Sequence, residues 1–365
     1  MTSLGLPVEL GSIEKELGRL WESSGEKKTR ASLINLAIYT EEKESIDQNT
    51  ALIREIAGRH PLRALLIIAE NQSPTSHLPP LTTIRPAGRI VSNQAQAWIT
   101  AHCYMHGKQG EEVCSEQITF LLSHQATENL PGIVFSHCDS DLPLVFWRQG
   151  EFSLSVDEEF WSFVDRLIFD SHDWTHLNEQ FVLVNKIAEL SEHTSSKTEL
   201  CDLNWMRIFS LRKTLAAMFD CSVATPELWK INNVTLEYGT HYYSTALLLL
   251  GWLVSQLGWK VITPGVNAFF QDANGNNVKV ALKEVEGCGI SRVHLQSQDA
   301  EFLIQRSPQS QYFHTEMRGS SISEVIKAVR IPRDRLEDIL LAELARSGRH
   351  PLYTKAVKAI ELFLK

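Results

Sequence analysis

The apolar positions of this 365-residue chain change period several times. In "SIEKELGRLW" (12–21), Ile13, Leu17, Leu20 and Trp21 share one helical face, and Ser12 is the expected N-cap. "LINLAIYT" (33–40) is a short apolar run, "SIDQNTALIREIA" (45–57) is helical, and "RALLIIAE" (63–70) is a second buried run. Strand, helix and strand at this length predict a βαβ unit with parallel strands and a right-handed crossover. A Pro-rich loop "SPTSHLPPLTTIRP" (73–86) follows, and "RIVSN" (89–93), "AQAWITAHCYM" (95–105) and "EQITFLLS" (116–123) read as strands. "LPGIVF" (130–135) carries Pro131 in a first helical turn. "LPLVFW" (142–147) is an apolar strand, and "DEEFWSFVDRL" (157–167) is a short helix leading into "LIFDS". The first half is therefore expected to form a mostly parallel sheet covered by helices.

"SEHTSSKTE" (191–199) is the most polar stretch and marks the expected boundary. It divides the chain into an N-terminal α/β domain, 1–198, and a C-terminal α+β domain with a helical tail, 199–365. "LNWMRIFSLRKTLAAMF" (203–219) reads as one helix. "STALLLLGWLVSQLG" (244–258) is apolar nearly all round, which predicts a buried helix. "NAFFQDANGNNVKVALKEV" (267–285) is a hairpin turning at Asn274-Gly275, and "RVHLQS", "EFLIQR" and "QYFHTEM" continue an antiparallel sheet. "IPRDRLEDILLAELARSG" has Pro332 near its start and Gly348 as its stop, and "YTKAVKAIELFLK" carries a stripe of Tyr353, Ala356, Val357, Ile360 and Phe363. The fold class is α/β to α+β. The pentapeptide "GRHPL" occurs at 58–62 and again at 348–352. Each copy follows a helical pattern, where Gly suits a left-handed residue and Pro cannot continue the helix. A β-like run follows the first copy and a helix the second, so the motif is shared punctuation and no duplication.

Composition is that of a globular protein, 43% hydrophobic and 22% charged. A formal net charge of −9 argues against a general nucleic-acid binder. The sign reverses from Ser321 to Lys365, where nine Lys or Arg meet six Asp or Glu in an expected basic helical tail. No run of 18 apolar residues occurs, and "MTSLGLPVEL" has neither a basic nor an apolar leader region, so neither a membrane span nor a secretory signal is expected. Six cysteines at 103, 114, 138, 201, 221 and 288 show no CxxC pair. They suggest no disulfide framework and fit a reducing cytoplasm.

There is no GxGxxG after a strand, no GxxxxGK[ST], no HExxH and no GxSxG. No cofactor, metal site or catalytic residue is therefore expected. His102, Cys103 and His106 in "AHCYMH" lack two further evident metal ligands. Asp170, His172 and Asp173 in "DSHDWTH" end a predicted strand, the edge where open α/β sheets bind ligands. With Arg59 and Arg63 as phosphate contacts they define a small-molecule sensor or enzyme reading; an Asp-capped turn explains the same residues. Trp205, Phe209 and Arg212 are spaced by four and three, roughly on one helix face, as a partner-binding anchor or as core. Arg207 points elsewhere, and Leu203, Ile208, Leu211 and Leu215 fill a neighbouring face.

Several blocks, in order, are similar to one family. "LGRLW", "TRASLINLAIYTE" and "GRHPLRALLI" resemble its opening, "DLPLVFW" its DLP strand ending in Trp, and "FDSHDW" its DSS-type turn. "DLNWMRIFSLRKTLAAMFD" resembles its D-L-x-W-x-R helix with a second Arg, and "ALLLLGWLVSQLGW" its ALLxGWLxxxLGW helix. On these blocks the chain resembles the OpcA family, the glucose-6-phosphate dehydrogenase assembly proteins. It departs from the family at His172, where a second Ser is more usual, and the match thins after Trp259. The resemblance implies a cytoplasmic, non-catalytic accessory protein. It would bind glucose-6-phosphate dehydrogenase, favour its active oligomer as an allosteric activator, and so support the oxidative pentose phosphate pathway.

Overall fold

The computed structural model describes residues 4–22, 28–69, 95–106, 111–123, 130–152, 158–193, 198–307, 310–331, 335–346, 348 and 350–365. The Pro-rich loop at 73–86, the strand expected at 89–93 and Pro332 lie outside these residues. The chain forms two compact units, Met1–Gly150 with Asp157–Phe169 and Ser195–Thr198, and Glu151–Val156 with Asp170–Thr194 and Glu199–Lys365. It crosses between them more than once, where the polar stretch suggests a single cut at 198/199. One reason is the helix Leu177–His193, which packs on the C-terminal helix and ties to it through Asn185 Nδ2, a donor to Glu361 Oε2 at 2.6 Å.

In the first unit the strands are β1 (Leu6–Val8), β2 (Lys28–Arg30), β3 (Asn35–Thr40), β4 (Arg63–Ala69), β5 (Ala95–His106), β6 (Glu111–Leu122), β7 (Leu144–Arg148) and β8 (Arg166–Phe169). They lie in the order β1-β5-β6-β4-β3-β7-β8, with β2 on β6. β3, β4, β6, β7 and β8 pair in parallel, and β5 joins β6 in an antiparallel hairpin. The predicted βαβ unit is β3, helix α2 (Ile46–Ala57) and β4, after helix α1 (Ile13–Glu22). β4 is buried along its whole length because it has a strand on either side and a helix packed on it. Ser12 does not cap α1; it lies in a 3-10 turn, Leu10–Ser12, that runs into the helix, and its own N–H bonds Glu9 O at 2.8 Å.

The hairpin corrects the reading of the cysteines. Cys103 stands directly opposite Cys114 in the register and is disulfide-bonded to it, with Cα atoms 4.0 Å apart. Cross-strand register brings them together where linear spacing gave no sign. His102 is buried, with Nε2 2.8 Å from Gln117 Oε1. Residue 106 lies about 13 Å further along the strand, so the two histidines do not form a ligand pair.

The two GRHPL copies differ in backbone. Gly58 keeps a right-handed φ of −67°, against expectation. Its value is space: a Cβ there would lie 3.0 Å from Tyr104 Cε1. Gly348 has φ +102°, the conformation glycine tolerates best.

After helices α3 (Leu130–His137) and α4 (Glu158–Ser162), the second unit holds α5 (Leu177–His193), β9 (Glu199–Asp202), α6 (Leu203–Arg207), α7 (Phe209–Ala217), α8 (Thr225–Leu228), β10 (Asn233–Gly239) and α9 (Tyr243–Leu257). Strands β11 (Lys260–Thr263), β12 (Asn267–Gln271), β13 (Asn277–Val285), β14 (Ile290–Gln296), β15 (Ala300–Gln305), β16 (Tyr312–Gly319) and β17 (Ile322–Arg330) follow, then helices α10 (Leu336–Leu344) and α11 (Pro351–Leu364). The sheet order is β11-β12-β13-β10-β14-β15-β16-β17. It is antiparallel except where β10 runs parallel to β13. The segment expected as one helix at 203–219 is two, broken at Ile208 with φ −89° and ψ 4°. The expected helical tail from Ser321 begins instead as the edge strand β17. Among the described residues no helix is long and apolar enough to cross a membrane.

Helix α9 is buried on nearly every side, and α11 crosses it with Tyr353, Ala356, Val357, Ile360 and Phe363 inward, as the pattern predicts. The crossing is close at Gly251, where a Cβ would fall 2.6 Å from Ala356 O and 2.7 Å from Ile360 Cγ1. Gly251→Ala is expected to cost about 1–3 kcal/mol through this overpacking, read by urea unfolding.

Burial holds the His102 imidazole below its ordinary pKa, so the folded chain takes up that proton at a lower pH than the unfolded chain does. The unfolded chain takes up that proton below about pH 6.5. The stabilising contribution is therefore present above that pH and lost as pH falls. His102→Gln is expected to flatten the acid-side fall in melting temperature; an unchanged slope would assign it to other groups.

Candidate functional site

The turn after β8 is built by two neighbouring acids with different tasks. Asp170 caps a 3-10 turn, Ser171–Asp173, accepting the His172 N–H at 3.1 Å. Its carboxylate also takes a two-pronged ion pair from Arg207, with Nη1–Oδ1 at 2.6 Å and Nη2–Oδ2 at 2.7 Å. Asp202 at the end of β9 is buried and caps α6 through the Asn204 N–H at 2.9 Å. It also accepts Ser171 N–H at 3.1 Å, Ser171 Oγ at 2.7 Å and the Tyr353 hydroxyl at 3.1 Å. Burial, reinforced by the Asp170 charge, pushes the Asp202 pKa up to about 6, against the pull of its hydrogen bonds. Asn204 extends the network to α9, donating to Ser244 Oγ at 3.2 Å and accepting from Thr245 Oγ1 at 2.8 Å.

Beside this centre lies a cleft of ≈390 Å³. Arg207, Ile208, Phe209, Tyr242, Arg306 and Phe313 are among its lining residues. The His172 ring lies against Tyr242 at 4.6 Å between centroids, and His172 Nε2 is 3.8 Å from Asp173 Oδ1. The cleft wall is chiefly apolar, and Arg207, Arg306 and Asp338 are its charged residues. That chemistry suits an aromatic or aliphatic group.

The predicted partner-binding trio does meet, with unequal exposure. Trp205 is buried and packs edge-on against Tyr353 at 5.5 Å. The Arg212 guanidinium lies 3.4 Å from the Trp205 ring centroid and 5.9 Å from that of Phe209, and its Nη2 donates to Trp205 O at 3.2 Å. Arg212 is only 7% exposed, and burial, then the Arg346 charge, lower its pKa to about 9. Phe209, at 47% exposure, reaches the cleft surface because the break at Ile208 restarts the helix there.

Arg59 and Arg63 belong to the first unit, and Asp170, His172 and Asp173 to the second. Arg63 opens β4, the amino end of a strand parallel to its neighbours, and is buried in an ion pair with Glu116 at 3.3 Å and with Glu14. Glu116 also takes Arg30 at 3.0 Å and the Trp21 indole N–H at 2.6 Å. Arg59 is exposed, 3.8 Å from Glu55. Asp202, Asn204, Tyr242 and Arg306 carry the site without having been singled out from the sequence. Only Asp202 left a trace there, as an acid two positions before Asn204 at a helix start.

Fold and site together define a two-unit α/β and α+β protein with a chiefly apolar cleft beside a polar centre closed by its own hydrogen bonds. Residues 53–186 match the family model described as the glucose-6-phosphate dehydrogenase subunit N-terminal domain, and residues 198–357 the corresponding C-terminal domain. The chain belongs to the OpcA family. Relatives named OxPP cycle protein OpcA include that of Synechococcus elongatus, 22% identical with 98% of this chain and 96% of the relative covered. That of Nostoc punctiforme is also 22% identical, with 80% and 71% covered. Among solved structures, biliverdin reductase from Synechocystis covers 91% of this chain and 98% of its own at 8% identity and TM-score 0.47. Aldose-aldose oxidoreductase from Caulobacter crescentus covers 91% and 96% at 9% identity and TM-score 0.45.

The unequal exposure separates two roles by mutation. Arg212→Ala is expected to cost about 2 kcal/mol of stability through the lost stacked cation. Phe209→Ala should move it by no more than about 0.5 kcal/mol. Thermal unfolding of both variants checks this; a reversed order would place Phe209 in the core.

Proposed function

We propose that this chain is a non-catalytic, cytoplasmic accessory protein that binds glucose-6-phosphate dehydrogenase and favours its active oligomer, supporting the oxidative pentose phosphate pathway. The observation that carries the reading is that both halves of the chain match domains described as a glucose-6-phosphate dehydrogenase subunit. A protein that binds one oligomeric or conformational state better than another shifts the population toward it by the difference in its affinities. The cleft rim around Phe209 would supply the contact chemistry, an exposed aromatic beside a chiefly apolar wall. Trp205 and Arg212 support that rim from behind. A catalytic or sensing role for Asp170, His172 and Asp173 has less support, since the Asp170 carboxylate is committed to Arg207 and to the His172 N–H.

Adding the chain to purified glucose-6-phosphate dehydrogenase is expected to lower its substrate KM or enlarge its oligomer by light scattering. Phe209→Ala should weaken the complex by about 1–3 kcal/mol with the melting temperature kept. No complex and no kinetic change with the unaltered chain would end the proposal. A complex insensitive to Phe209→Ala would move the contact elsewhere.

A further inference from the structure

Within the second unit, β9 and the two C-terminal helices bring together side chains that no sequence motif connects. Glu199 and Cys201 lie on β9, and His350 caps the start of α11. One donor atom from each of these three lies within 4.8 Å of the others. Cys201 and His350 are buried, and Glu199 is half-buried. Glu343 on α10, fully buried, takes His350 Nε2 at 2.9 Å.

We propose that Glu199, Cys201 and His350 form a zinc site, with Glu343 orienting the histidine. The donor set carries the identity of the metal. A thiolate with an imidazole selects a borderline-soft ion such as zinc over magnesium or calcium, and a carboxylate completes three protein ligands. Bond lengths of about 2.0–2.3 Å give a tetrahedral edge of roughly 3.3–3.8 Å, so closing the cluster on an ion needs movement of only about 1 Å. Glu343 is already hydrogen-bonded to the His350 ring at Nε2, and a carboxylate bound to a ligating histidine fixes the ring and raises its basicity. Binding displaces the Cys201 proton to solvent, leaving the thiolate on the ion. The fourth position is left to water or a partner's side chain. The ion would pin β9 to the α10–α11 connection.

The test uses the full-length chain, reduced and freed of metal by a chelator, titrated with cobalt(II) as a spectroscopic stand-in and with zinc by calorimetry. One equivalent of cobalt giving a thiolate-to-metal charge-transfer band is expected, and zinc should displace it. Cys201→Ser should abolish the band, His350→Gln should weaken zinc binding at least tenfold, and Glu343→Gln should weaken it about 10–100-fold. No thiolate band in the unaltered chain would overturn the site without any variant having to fold. A band that survives Cys201→Ser would assign the metal to another cysteine, and zinc affinity unchanged in a folded His350→Gln chain would also overturn it.

Discussion

The second unit depends on one carboxylate taken out of water. Leaving Asp202 buried and ionised without partners would cost several kcal/mol. Four donors surround it instead, two from Ser171, one from the backbone of Asn204 and one from Tyr353. They come from the turn after β8, the start of α6 and helix α11, so satisfying the acid fixes where these elements meet. Asn204 passes the constraint on to α9 through Ser244 and Thr245. Asp170 is adjacent to Ser171 and is held where Arg207 can grip both of its oxygens. The wall of the cleft follows from that grip, since Arg207, Ile208 and Phe209 are consecutive.

Arg212 shows a second use of a charge inside the fold. Its guanidinium rests on the Trp205 ring and donates to a backbone carbonyl, and burial and Arg346 weaken its hold on the proton. A planar, weakly hydrated cation tolerates such a position far better than an ammonium would. The structural consequence is that Trp205 and Arg212 are buried and the neighbouring Phe209 is left as the exposed aromatic.

Much of the architecture was legible because it depends on local periodicity. The βαβ unit, the apolar helix at 243–257, the Asn274-Gly275 hairpin and the stripe on α11 each follow from the spacing of side chains along one segment. Features set by the environment of a residue were not legible. The break at Ile208, the right-handed Gly58 beneath Tyr104 and the edge strand at 322–330 all lie in segments whose local pattern also fits the expected form. β10, which carries the one parallel pairing of its sheet, went unrecognised.

The candidate site divides along the same line. The sequence by itself determined which residue types were available, including Asp170 at a strand end and a Trp, Phe and Arg at helical spacing, and its ordered blocks pointed to the family. Only the tertiary structure decided their roles: Asp170 against Arg207, Arg212 inward on Trp205, Phe209 outward, and Arg63 spent on Glu116 and Glu14. It also decided that Cys103 faces Cys114 and that Cys201 faces His350. The reason is that burial and pairing are properties of neighbours in space, and these neighbours are set by strand register and helix crossings, which no single segment encodes.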